Sequence, residues 1–304
     1  MKNLKVISTI AIIALISSAC GRRNANDPGQ NAMGAVDPVE ATIETGVTLI
    51  NGLADDQAGS SYALSLGNQK TSVWSLLLGK EAYAALCERV AASPMVVCNN
   101  NVKEVQYDNC ELGTSGRTLN GFVQLTYSHA SCTLSTDGDS VNREYDITIS
   151  GPRGGIVTHT SEAQSDYKVG PAYGGGGTVT KTAAGWDLSV AGRHSSFSFK
   201  NREIFNVSVR TIQPLNISGG LGRSNRHISN GQLEVNHNLA KFTAVFTANN
   251  LQWTSSCCHP TSGSLGVVYS GSKSGSATVT FNGCGAASVD QGGQQQSIEL
   301  SYCE

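Results

Sequence analysis

From about residue 96 onward, Thr, Ser, Val, Phe and Tyr alternate with polar residues, and Gly or Asn interrupts the pattern every eight to twelve positions. The segments 121–127 (GFVQLTY), 144–149 (EYDITI), 204–212 (IFNVSVRTI), 231–237 (GQLEVNH), 241–248 (KFTAVFTA) and 275–281 (GSATVTF) carry the pattern most clearly. Successive side chains of a strand point to opposite faces, so period-two alternation means one buried face and one wet face. That is the signature of an antiparallel sheet. The expected fold is mainly β over residues 96–304. Roughly a dozen strands should form an antiparallel sandwich or a strongly curved sheet. A transmembrane barrel is the runner-up, but aromatic residues are only 6% of the chain, too few for two interfacial girdles.

The N-terminal third reads differently. Lys2 and Lys5 precede an apolar run from Val6 to Ile16, and Ser17, Ser18 and Ala19 lead to Cys20. This is an export signal, too short for a membrane span. Its end resembles the lipobox of bacterial lipoproteins, with Ser17 where Leu is usual. The resemblance implies cleavage after residue 19 and a diacylglyceryl, palmitate-type anchor on Cys20. Gly21 in place of an Asp favours the outer membrane by the same analogy. More than one acyl chain makes such anchoring stable. Residues 20–36, rich in Gly, Asn, Asp and Pro, read as a flexible tether. Within 37–95, Val39, Ile43, Val47, Ile50 and Leu53 have helical spacing, and residues 72–91 are apolar and Ala-rich. Two helices packing on the sheet are expected there.

Nine cysteines then resolve into one lipid acceptor and eight others: Cys87, Cys98, Cys110, Cys132, Cys257, Cys258, Cys284 and Cys303. An even number in an exported chain reads as four disulfides. They form two quartets. A weak repeat relates Val105–Cys110 to Val279–Cys284 and Val123–Tyr127 to Ile298–Tyr302, each unit a strand, a Cys at its end and a return strand. This spacing predicts Cys110–Cys132 and Cys87–Cys98, with Cys257 and Cys258 joined to Cys284 and Cys303 in either order. A zinc site at Cys257-Cys258-His259 lacks finger spacing, and a vicinal Cys257–Cys258 bond is strained.

The runs NCELGTSGRTLNGFVQLTYSHASC, SNRHISNGQLEVNHNLAKFTAVFTANNLQW and CCHPTSGSLG with FNGCGAASV resemble uncharacterised Cys-rich lipoproteins of predatory Gram-negative bacteria over most of residues 80–304. The resemblance implies strands and staples but no activity, cofactor or functional residue.

The chemistry-bearing residues do not assemble into a motif. The chain holds 21 Lys and Arg against 23 Asp and Glu, a net charge of −2, which argues against a nucleic-acid partner. No G-x-S-x-G elbow or H-E-x-x-H helix occurs. Six His (129, 159, 194, 227, 237 and 259) stand singly. His194-Ser195, and His227 near Ser224, are the only hints of a nucleophile and base. Glu144, Asp146, Glu203 and Glu234 are strand carboxylates that could form a glycosidase pair only if the sheet brought two together. Asp137–Asn142 has alternating oxygen ligands without the Gly and Glu of a calcium loop and reads as a turn. The glycine run 174–177 lacks the Lys of a phosphate loop and reads as a flexible turn. Trp74, Trp186 and Trp253 could stack on sugars, Trp186 best. The expected function is non-catalytic: binding of an envelope protein or glycan, adhesion, or envelope architecture, on the periplasmic or the outer face. A carrier of lipid or apolar ligands and a wall-polymer hydrolase are the rivals.

Overall fold

A computed structural model describes residues 98–111, 116–161, 175–220, 225–257 and 259–300. The signal, tether and helical segment expected over residues 1–95 lie outside them, as do Cys20, Cys87, Cys258 and Cys303.

The described chain is an antiparallel meander. In order, its strands are β1 Val102–Glu111, β2 Thr118–Tyr127, β3 Ser140–Ser150, β4 Gly155–Thr160, β5 Gly176–Thr182, β6 Gly185–Phe199 and β7 Arg202–Ser218. They continue as β8 His227–His237, β9 Phe242–Gln252, β10 Ser262–Gly271, β11 Gly275–Gly283, β12 Ala286–Gln291 and β13 Gln294–Glu299. All thirteen belong to one continuous hydrogen-bonded sheet, and the mainly β, antiparallel character expected of the chain is borne out. Alternation records only that each strand has a wet and a buried side; the number of sheets is decided by the hydrogen bonds between strands, which leave no local trace.

β3 shows why the strands form. Val141, Arg143, Tyr145, Ile147 and Ile149 lie on its buried side, and Ser140, Asn142, Glu144, Asp146, Thr148 and Ser150 on the other, half-exposed. The buried side runs on across the sheet through Leu188, Val209, Leu233, Phe246, Leu265 and Val279, forming one large apolar cluster. A smaller cluster joins Tyr107, Leu119, Tyr145, Ile147 and Val157. Bulges interrupt β1 between Tyr107 and Cys110, β6 between Leu188 and Arg193, and β7 at three points opposite β8. Each bulge sharpens the local twist.

Gly121 shows how tightly β2 and β3 approach. Its φ is +116°, and a Cβ there would stand 1.8 Å from the Asp146 carbonyl oxygen. Gly121→Ala is expected to cost about 2 kcal/mol through φ strain and a displaced β3 backbone. Gly138→Ala also has positive φ but meets nothing within 4 Å, and should cost visibly less. Urea midpoints of the two variants test the ordering.

Because neighbours are antiparallel, the connections fall at two ends. The β2–β3, β5–β6, β7–β8, β9–β10 and β11–β12 connections share one end. The β1–β2, β3–β4, β6–β7, β8–β9, β10–β11 and β12–β13 connections share the other. Both described disulfides are at the first, stapled end. Cys98–Cys132 ties the lead into β1 to the β2–β3 loop, and Cys257–Cys284 ties the β9–β10 loop to the β11–β12 turn. The expected pairs Cys110–Cys132 and Cys87–Cys98 are therefore wrong. Cys110 sits near the far end of β1, a strand length of roughly 27 Å from the β2–β3 loop at about 3.4 Å per residue. It is disulfide-bonded, to a cysteine outside the described residues. The Cys257–Cys284 bond is one of the two orders expected and excludes a vicinal Cys257–Cys258 bridge. The repeat also fails as a structural unit: β1 pairs directly with β2, whereas β12 stands between β11 and β13.

Candidate functional site

One strand position is broken. β4 and β5 both lie between β3 and β6, β4 against Asp146–Ser150 of β3 and β5 against Ser140–Arg143. β4 ends at Thr160 and β5 begins at Gly176, and next to them the Gly175 N–H donates to the Ser161 carbonyl. Residues 162–174 between them lie outside the described residues. At the break, Tyr145 would lose a ladder partner. The buried Ser161 supplies it: the Tyr145 N–H donates to Ser161 Oγ at 2.7 Å, and Ser161 N–H donates to the Tyr145 carbonyl at 2.8 Å. Gly176, with a hypothetical Cβ 2.0 Å from the Arg143 carbonyl, lets β5 enter beside β3. Gly176 and Gly177 are therefore strand, not the flexible turn expected of the glycine run.

On the apolar face, the break is lined by polar side chains. Register places Ile147, His159, Ser195, Val207 and His237 in one row across β3, β4, β6, β7 and β8. His159 Nδ1 and Ser195 Oγ are 2.8 Å apart. The guanidinium carbons of Arg143 and Arg193 lie 5.6 and 5.8 Å from the Tyr145 ring centre, within cation–π range. Burial, the Arg193 charge and His194 push the His159 pKa down to about 3. The imidazole is thus neutral across the physiological range and a weak base. General-base efficiency needs a pKa near the working pH, so this pair offers a hydrogen bond and not an activated nucleophile.

The opposite face carries a second polar web at the same level. His194, Asn206, Ser208 and Asn236 are each 3% exposed. Asn206 Oδ1 accepts from Asn238 Nδ2 at 2.6 Å and contacts His194 Nε2 at 2.9 Å, and Asn206 Nδ2 donates to Glu203. Arg210 Nε donates to Glu234 at 2.8 Å. Burial lowers the His194 pKa, partly offset by the Asn206 hydrogen bond and by Glu203. Shared partners fix these side chains relative to one another.

The remaining candidates are separated. His194 and Ser195, neighbours in sequence, point to opposite faces; the partner of Ser195 is His159, 36 residues away. His227 Nδ1 meets Ser218 Oγ at 3.3 Å, while Ser224 lies outside the described residues. Of the strand carboxylates, Glu144 accepts from Asn142, Glu203 from Asn206 and Glu234 from Arg210. Asp137–Asn142 is a turn and the start of β3. The Asp139 carboxylate accepts the Ser135 and Thr136 N–H groups at 2.7 Å and the Thr136 hydroxyl at 2.8 Å, beside His129. Donors where a cation would sit make this a loop-closing carboxylate, held well below the usual carboxylate range chiefly by the Thr136 N–H. Among the described residues no group of three or more His, Cys, Asp or Glu could hold a metal ion. Trp253 is 3% exposed with Arg226 over its ring, and Trp186 is half-buried against the main core, so neither presents a bare stacking face.

Arg143, Tyr145 and Arg193 are not among the residues that the sequence marks as candidates, and His159 stands there only as one of six isolated histidines. One signal was available: in VNREYDITI, Arg143 occupies the apolar register of β3. Compared with family models, with curated proteins and with solved structures, the chain matches none.

Proposed function

We propose that the protein is an envelope lipoprotein, anchored in the outer membrane through acylated Cys20, whose stapled sheet serves a non-catalytic binding or architectural role. The observation that supports it is the state of the described Ser–His pair. His159 beside Ser195 is held neutral down to about pH 3 and flanked by the Arg193 charge, and proton abstraction there is disfavoured at any pH at which the cell lives. The export signal, the tether and the resemblance to Cys-rich lipoproteins fit the anchored reading.

The purified protein and its Ser195→Ala variant, offered ester, peptide and wall-glycan substrates, should show the same background rates. Turnover lost in Ser195→Ala would restore a hydrolase. Cys20→Ser should abolish palmitate incorporation in growing cells, and incorporation into that variant would remove the anchor. Protease treatment of intact and permeabilised cells then separates the outer from the periplasmic face.

A second reading, carriage of an amphiphile, is favoured by Arg143 and Arg193, both near the Tyr145 ring, and the polar His159–Ser195 pair on a largely apolar face. Such a carrier would yield a stoichiometric amphiphile on solvent extraction, depleted in an Arg143→Ala/Arg193→Ala variant.

A further inference from the structure

The two ends of the sheet differ in charge. At the end opposite the staples, the described connections and the strand tips beside them carry Arg117, Arg153, Lys200, Arg202, Lys241 and Lys273. The acids there are Glu111, Glu203 and Asp290; Glu203 accepts from Asn206, and Asp290 caps the Gly293 N–H. Arg153, Lys200, Arg202 and Lys241 are exposed, and none makes an ion pair among the described residues. At the stapled end, by contrast, Lys181 pairs with Asp137, Lys103 stands over the Tyr127 ring and Arg226 is fully buried.

The same end exposes aliphatic and aromatic surface. Of the large apolar side chains left in water, Ile156 (39%), Phe199 (37%), Ile204 (44%) and Leu239 (48%) all lie on or beside these turns. The turns form a connected rim. Lys200 N–H donates to the Gly154 carbonyl, Asn238 N–H to Asn206, and Ser272 N–H to Lys241. These bonds link the β6–β7 connection to the β3–β4 connection, the β8–β9 connection to β7, and the β10–β11 connection to the β8–β9 connection. The Lys200 ammonium stands 5.4 Å from the Phe199 ring centre, so cation and apolar group are interleaved rather than segregated.

We propose that this turn rim docks on a bilayer surface carrying anionic phospholipid, with Arg153, Lys200, Arg202 and Lys241 at the headgroups and Phe199, Ile204 and Leu239 entering the interface. A row of turn tips forms an edge, which meets a plane more readily than it encloses a peptide. Cations draw an anionic leaflet, and adjacent apolar side chains add area buried at the headgroup boundary. A nucleic acid would use the cations but leave Ile204 and Leu239 against phosphate. The inference is independent of the Cys20 anchor: rim docking and acylation can fail separately, since palmitate incorporation reads only the latter.

The test adds the complete chain, purified as the cell makes it, to preformed vesicles of phosphatidylcholine alone or with phosphatidylglycerol, followed by lysine acetylation and mass spectrometry. Lys200 and Lys241 should label about fivefold more slowly or less on the anionic vesicles, and protection should vanish at high salt. Lys103 and Lys181, at the stapled end, should label alike on both. An Ile204→Asp/Leu239→Asp variant, changed only at exposed positions, should lose most of the protection. Equal labelling of Lys200 and Lys241 on both vesicles would overturn the docking. So would protection centred on Lys103 and Lys181, or protection by soluble heparin equal to that by vesicles.

Discussion

Phe246→Ala should lower the unfolding free energy by about 4 kcal/mol, within the roughly 3–5 kcal/mol seen when a buried Phe is cut to Ala. Phe246 is fully buried in β9, paired with Leu233 of β8 and Val267 of β10. All three side chains belong to the main apolar cluster. The loss has two parts, the apolar area no longer removed from water and the cavity left behind. Neighbours on both sides are strand residues with hydrogen-bonded backbones, so the site collapses poorly and the cavity part is retained. Native stability is only about 5–15 kcal/mol, so this one change should bring the fold close to its threshold. Val268→Ala, one residue along β10 and 57% exposed on the other face, should shift stability by less than about 0.5 kcal/mol. Urea unfolding with disulfides intact measures both, and a Phe246→Ala midpoint no lower than that of Val268→Ala would mean that the apolar face is not a packed core.

The contrast between Phe246 and Val268 was legible from alternation alone, because the period of two assigns every residue of a strand to a face. So were β3, β8 and β11. What alternation could not carry was anything non-local. β12 (AASVDQ) and β13 (QQQSIE) are six-residue strands with little apolar residue to alternate, β13 at the edge of the sheet and β12 beside it. That β4 and β5 share one strand position depends on β3 and β6, which hold both. Cysteine counting foresaw disulfides, and Cys257–Cys284 as one of two orders, but mispaired the first quartet, because pairing depends on which end of a strand each sulfur reaches. The candidate site was hidden for the same reason. Sequence adjacency suggested His194 with Ser195, and strand geometry separates them to opposite faces. His159 reaches Ser195 only through the β4–β6 register.

Acid should unfold this protein well before its carboxylates are neutralised. The His159 pKa is pushed down to about 3 by burial, Arg193 and His194, and that of His237 to about 4 by burial and Lys273. In the unfolded chain both return to about 6.5. Stability is then complete above pH 6.5. As pH falls from 6.5 toward 4, the unfolded chain takes up about two more protons than the native one at His159 and His237, and His194, whose pKa burial also lowers, adds to the difference in the same direction. Stability therefore falls by roughly 2–3 kcal/mol per pH unit where both differ fully. Asp139 acts later and on top of this. Its carboxyl is held well below the usual range, so its contribution is lost only as pH drops below the ordinary carboxylate value of about 4. His237 isolates one of these histidines. Its ring stacks on Phe242 at 4.2 Å, and its Nε2 is buried without a hydrogen-bond partner among the described residues. His237→Phe keeps the stack, removes the unsatisfied nitrogen and removes one titrating group. The variant should equal or exceed the wild type at pH 7.5 and keep roughly half to two thirds of its slope between pH 6 and 4.5, the remainder coming from His159 and His194. Urea midpoints across that interval decide it. An unchanged slope in His237→Phe would assign the acid sensitivity elsewhere, and a flat wild-type profile would mean that neither imidazole is held neutral by the fold.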